Sequence, residues 1–213
     1  LTYENALAPF IYGQTWNNWA WTSMDSIAAW DTAQMIVWAT IVPSESLAVA
    51  ASGGWKRLQL ERLALYYMAS SRKTLYCLSS NTSGPNLMPN DYKLADTLYK
   101  WTPAIARDIG YPLGPRFVVA SGSDPAGQSY TLYRRNYSKA ILLYRRQSGA
   151  NYGDTSAINY SLGQVCTPLT ADNSTGTPSA TAIVRNMEGQ IWLVDAPPQS
   201  APLSKPLKHW RRS

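Results

Sequence analysis

The chain reads as an α/β segment followed by an all-β segment, with partial (β/α) barrel-type units first and an antiparallel β-sandwich after them. Three observations predict this. Apolar residues in the first half recur at three- and four-residue spacing between short apolar runs, which is the pattern of helices alternating with buried strands. From Ser129 to Arg146, SYTLYRRNYSKAILLYRR, the period changes to two. Beyond that run, short strand-like segments are separated by Gly, Pro, Asn and Asp clusters, the punctuation of an antiparallel sandwich. The organisation that follows is a barrel-like part over 1–110, a sandwich over 111–196 and a Pro-rich basic tail over 197–213.

Taken in order, Leu1 to Tyr3 is the end of a strand, and a polar, aromatic loop runs from Glu4 to Thr22. Ser23 caps a helix through DSIAAWDTAQMIVWATIV, with Ile27, Trp30, Gln34, Trp38 and Ile41 on one face and Pro43 as its stop. Ser46 to Ala51 is a short apolar strand. Gly53 and Gly54 open a second helix, WKRLQLERLALYYMAS, whose apolar face includes Leu58, Leu65 and Met68. Lys73 to Leu78 is another strand, and a third helix runs from Asp91 to about Trp101, closed by Pro103. Strand-helix alternation of this kind points to parallel βαβ units with chemistry beyond the carboxyl ends of the strands. A full barrel needs about 250 residues and eight units, whereas about three are legible here.

In the second half Tyr130, Leu132 and Arg134 face one way and Thr131, Tyr133 and Arg135 the other. Asn136 to Ser138 makes the turn, and Ala140 to Tyr144 returns. Further strands are expected near Ser156 to Leu162, Ala180 to Arg185 and Gln190 to Asp195.

Composition limits the function classes. The chain has 213 residues, 45% of them hydrophobic, which suits a folded protein. No apolar run is long enough to span a membrane, since Ala28 to Val42 is interrupted by Asp31, Thr32, Gln34 and Thr40. Nor does a signal peptide precede the first strand; Leu1 in place of Met suggests a processed or truncated chain. The net charge of +6 lies wholly in the second half, where eleven Lys or Arg face five Asp or Glu. No nucleic-acid motif accompanies it, so Arg134, Arg135, Arg145 and Arg146 read as solvated charges guarding sheet edges, and nucleic acid is not the expected partner. The single histidine, His209, is in the tail, and the two cysteines, Cys77 and Cys166, lack partners at metal-ligand spacing. No metal and no cofactor is expected. Sequons stand at Asn81, Asn136, Asn159 and Asn173, acceptors for N-glycans if the chain is secreted.

The segments LTYENALAPF, SLAVAASGG with RLQLERLALYYMASSRKTLYCL, WTPAIARDIGYPLG and YTLYRRNYSKAILLYRR, in this order, resemble glycoside hydrolases whose TIM barrel is followed by a small β-sandwich. The resemblance covers most of residues 1–195. This chain departs from that pattern by lacking the first part of the barrel, by the longer insert Gln147 to Thr155, and by its tail. The resemblance implies that Glu4 is one of the two carboxylic groups that glycoside hydrolysis uses, with its partner on an earlier strand outside this chain. Asn5, Tyr12, Gln14, Trp16, Asn17 and Trp19 would then line the sugar site, flat apolar faces alternating with amide donors and acceptors. Carbohydrate is the implied ligand, and the setting is secreted or extracellular. The competing expectation is a non-catalytic extracellular structural or carbohydrate-binding protein that assembles through exposed sheet edges, either with its own copies or with a missing N-terminal barrel segment.

Overall fold

The computed structural model describes residues 2–3, 35–41, 54–70, 74–80, 102–147, 156–186 and 188–194. Three strands, β1 (Thr2–Tyr3), β2 (Met35–Ile41) and β3 (Thr74–Ser80), form a small parallel sheet in the order β1-β2-β3. Pairing runs from Met35 opposite Thr74 to Ile41 opposite Ser80, while Thr2 and Tyr3 lie opposite Ile36 and Val37. One helix, α1 (Gly54–Ala69), connects β2 to β3 in the chain.

The remaining strands are β4 (Phe117–Ser123), β5 (Ser129–Asn136), β6 (Ala140–Gln147), β7 (Ala157–Pro168), β8 (Ser179–Arg185) and β9 (Glu188–Leu193). They make one antiparallel sheet in the order β4-β5-β6-β9-β7-β8. A sandwich of two sheets was the expectation, and β7 is the reason it does not form. Its carboxyl end pairs with β9 through Thr167 and Pro168, whereas its amino-terminal part, from Ala157 to Ser161, pairs with β8. Between these stretches the register shifts, with Gly163 at φ +84°. The irregularity bends the strand, so the sheet curls into a half-barrel instead of dividing in two.

The partial-barrel expectation is also overturned. Met35–Ile41, placed by spacing inside a helix from Ser23, is strand β2. Four of its seven residues, Ile36, Val37, Thr40 and Ile41, are β-branched and favour a strand, and a continuous apolar run fits a buried strand as well as a buried helix. The helix α1 does not serve as a barrel helix either. Its Leu63, Ala64, Leu65, Met68 and Ala69 share a core with Ala140, Leu142, Tyr144 and Ile191 of β6 and β9, so it covers the antiparallel sheet. No repeated alternation of strand and covering helix occurs among the described residues. The expected strand at Ser46 to Ala51 and the expected helix from Asp91 lie outside them.

Alternation sorts the sheet's side chains onto two faces. On the helix-covered face lie Tyr133, Ala140, Leu142, Tyr144, Ile191 and Leu193, joined by Ala104 and Ile109 from the segment around a 3-10 turn at Pro103–Ala106. Inside the curl lie Leu132, Ile141, Leu143, Leu162, Cys166, Ala182, Val184 and Trp192. The hairpin β5–β6 carries both sets, with Asn136 opposite Ile141 and Tyr133 opposite Tyr144. Gly189 lets α1 approach β9 closely: a Cβ there would meet Ala64 Cβ at 2.8 Å and Glu61 Cα at 2.9 Å.

Candidate functional site

Four arginines of the hairpin were expected at exposed edges, yet β5 and β6 are interior strands and three of the four, Arg134, Arg135 and Arg145, reach partners within the protein. Arg145 and Asp124 are both fully buried, with Arg145 Nη2 2.5 Å from Asp124 Oδ2. Local sequence positions the carboxylate. In the β4–β5 turn Asp124-Pro-Ala-Gly, Asp124 Oδ1 accepts the N–H groups of Ala126 and Gln128 at 2.9 Å each, and Gly127 takes the left-handed conformation at φ +78° that closes the turn. The other oxygen is thereby aimed at β6. Arg145 Nη1 donates to the carbonyls of Ser156 (2.9 Å) and Val184 (3.0 Å), and its guanidinium lies 5.1 Å from the centroid of the Tyr130 ring. One side chain therefore ties β6 to the β4–β5 turn, to β8 and to the approach to β7.

Arg134 does similar work nearer the turn. Its Nη1 donates to Tyr160 Oη at 3.2 Å and to the Leu162 carbonyl at 3.3 Å, and its Nε to Asn136 Oδ1 at 2.7 Å. On the opposite face Arg135 Nη1 donates to the carbonyls of Tyr67, Met68 and Ser70 at 2.7, 3.1 and 2.8 Å, a charged cap on the carboxyl end of α1 where backbone acceptors lack intrahelical partners. Tyr137 Oη donates to the Tyr67 carbonyl at 2.8 Å. Burial raises the phenol pKa of Tyr67, with Tyr66 and Tyr137 adding to the effect. It raises that of Tyr137 too, partly offset by the hydrogen bond with Ser70 and by the Arg135 charge. These three guanidinium groups reach carbonyls, a carboxylate and rings of the protein itself, so Arg134, Arg135 and Arg145 serve to tie the sheet together.

Among the described residues two carboxylates, Asp108 and Asp172, stand at the surface. Asp172 is held well below the usual carboxylate range by hydrogen bonds from Thr170 and Ser174 and by the ion pair with Lys56, 3.0 Å away. Asp108 is lowered by its bond to Lys139 and by the Gly110 N–H. Among the described residues no group of three His, Cys, Asp or Glu could hold a metal ion. Cys166 is buried inside the curl.

The surface feature with a physical consequence is the β4 edge. Tyr111, Leu113, Phe117 and Val118 are all exposed within eight consecutive residues, at 66, 60, 46 and 53%. They precede or begin a strand that, among the described residues, pairs only with β5. On the strand at the other end, β8, side chains of β9 take up backbone groups: Gln190 Nε2 donates to the Ile183 carbonyl at 2.8 Å, and Glu188 Oε2 accepts the Arg185 N–H at 2.6 Å. Reading for catalysis missed both the Asp124–Arg145 pair and this edge. Parity could have found the pair, since Arg145 shares a face with Ile141 and Leu143 and a charge there needs a partner. The uncharged run FVVASGS was the signal for the edge.

The site residues named from the sequence, Glu4, Asn5, Tyr12, Gln14, Trp16, Asn17 and Trp19, lie outside the described residues. In the chain, Glu4 and Asn5 directly follow β1. No helix among the described residues is long and apolar enough to cross a membrane. Comparison with protein-family models, with curated proteins and with solved structures finds no match in any of the three.

Proposed function

We propose that the chain is a non-catalytic, extracellular structural or binding protein that assembles with a second copy of itself through the β4 edge. The observation that carries this reading is the uncharged β4, which among the described residues pairs only with β5 and has four exposed apolar side chains at and before it. Unpaired backbone groups along an edge form a template for another strand, and natural sheets usually block it with Lys, Pro or an inward charge. β4 has no Lys, no Pro and no charge, FVVASGS from end to end, and its one interruption is a register shift against β5 between Val118 and Ala120. Two copies related by a two-fold axis at Ala120 would bring β4 against β4 antiparallel, with no like charges opposed, Phe117 facing Ser123 and Val118 facing Gly122 of the second copy.

Sedimentation velocity over a range of concentrations tests it. The wild-type chain is expected to associate, and Val118→Lys, at a solvent-facing position, to sediment as a monomer with its melting temperature little changed. A wild-type chain that stays monomeric at every concentration contradicts the proposal.

A second reading, glycoside hydrolysis with Glu4 as one of two carboxyl groups, is favoured by one observation. Glu4 directly follows the carboxyl end of β1 in a parallel sheet, the end at which ligands gather in such sheets. In a protein carrying this chain with activity on a carbohydrate, Glu4→Gln would abolish turnover; unchanged turnover rules the reading out.

A further inference from the structure

We propose that Asn159, in Asn159-Tyr160-Ser161, is the sequon of the antiparallel unit that carries an N-linked glycan when the chain passes through a secretory pathway. Three sequons fall among the described residues, and the structure separates them. Asn136 is half-buried and accepts from Arg134 Nε at 2.7 Å, beside a guanidinium that reaches into the curl toward Tyr160 and Leu162. A glycan there would grow toward β7. Asn173 is half-buried in a tight turn with φ +68°, and Arg107 clamps it twice, from Nε to Oδ1 at 2.9 Å and from Nη2 to its carbonyl at 2.6 Å.

Asn159 differs on each count. It is exposed, and its amide makes no side-chain hydrogen bond among the described residues. Its neighbours Ile158 and Tyr160 pack against the interior cluster, so alternation turns Asn159 outward. Directly opposite it on β8 stands Ile183, 58% exposed, flanked on the same outer face by the exposed Thr181 and Arg185. A first sugar on Asn159 would lie over Ile183 and remove apolar surface from water, while the rest of the glycan extends into solvent. This outer face belongs to the β7–β8 end of the sheet, far in strand order from β4, so the glycan and assembly through β4 are compatible.

The group transferred is an oligosaccharide from a lipid-diphosphate-linked donor. Asn159 Nδ2 forms the bond to C1 of the first sugar and gives up one proton, the bond from C1 to the diphosphate oxygen breaks, and the lipid diphosphate leaves with the electron pair.

The test is secretion of the full chain from insect cells behind a cleavable signal sequence, followed by enzymatic glycan release, which converts a glycosylated Asn to Asp, and peptide mapping. Occupancy at Asn159 is expected to be high and several-fold above that at Asn136 and Asn173. Asn159→Gln and Ser161→Ala should each remove that glycan while the chain is still made, and the same mapping on cell-retained chain reads the same ratio. An unmodified Asn159 peptide, or occupancy no higher than at Asn136 and Asn173, overturns the proposal.

Discussion

Asp124 and Arg145 show how a single buried pair can hold a curled sheet. Removing a charge from water is costly, and the cost is recovered only where geometry and further hydrogen bonds are good. Here both carboxylate oxygens and both terminal guanidinium nitrogens have protein partners. Asp124→Ala, which strands the guanidinium and opens the turn, is expected to lower unfolding free energy by about 3–5 kcal/mol, measured by urea titration; a loss near zero would mean that the curl does not depend on the pair. The tyrosines make a second prediction. Tyr67 and Tyr137 have folded-state pKa values raised by burial above the ordinary phenol value of 10.0, so their contribution is present below that pH and is lost as pH rises through the folded values. Stability should therefore fall with increasing slope above pH 10, and Tyr137→Phe should make that slope shallower whatever it does to stability at neutral pH. An unchanged slope contradicts the assignment.

At the scale of elements, the contact between α1 and β9 is the joint on which the helix-covered core depends. Gly189 faces the helix at a distance that leaves no room for a methyl group, and the obstacle includes Glu61 backbone. Gly189→Ala should cost about 2 kcal/mol through displacement of α1, read as a lower denaturation midpoint, whereas Gly127→Ala, with open space around its Cβ, would act only through its positive φ. Much of this layer was legible in the sequence. The hairpin from Ser129, its alternation, the helix after Gly53 and the strands near Ala180 and Gln190 follow from local period and turn residues. Met35–Ile41 was not, because an apolar run of that length does not separate strand from helix by period. What covers α1 was not legible either, since buried positions surround it rather than forming one stripe, and partner choice between two sheets is a tertiary fact.

For the whole molecule, the sandwich expectation failed on one strand. Gly, Pro and Asn clusters announce turns but do not reveal that β7 runs past its own irregularity to pair with two neighbours, and that continuity makes one curled sheet with two ends. At one end, β8, backbone groups are taken up by Gln190 and Glu188; the other end among the described residues is β4. Three of the arginines expected to guard the edges, Arg134, Arg135 and Arg145, are engaged within the protein, β4 carries no charge of its own, and association is the central expectation. Amide hydrogen exchange of the wild-type chain, followed by mass spectrometry at low and high protein concentration, reads this directly. Peptides covering Phe117–Ser123 are predicted to gain protection as concentration rises while those covering β8 do not; protection of β4 that is independent of concentration would contradict assembly through this edge.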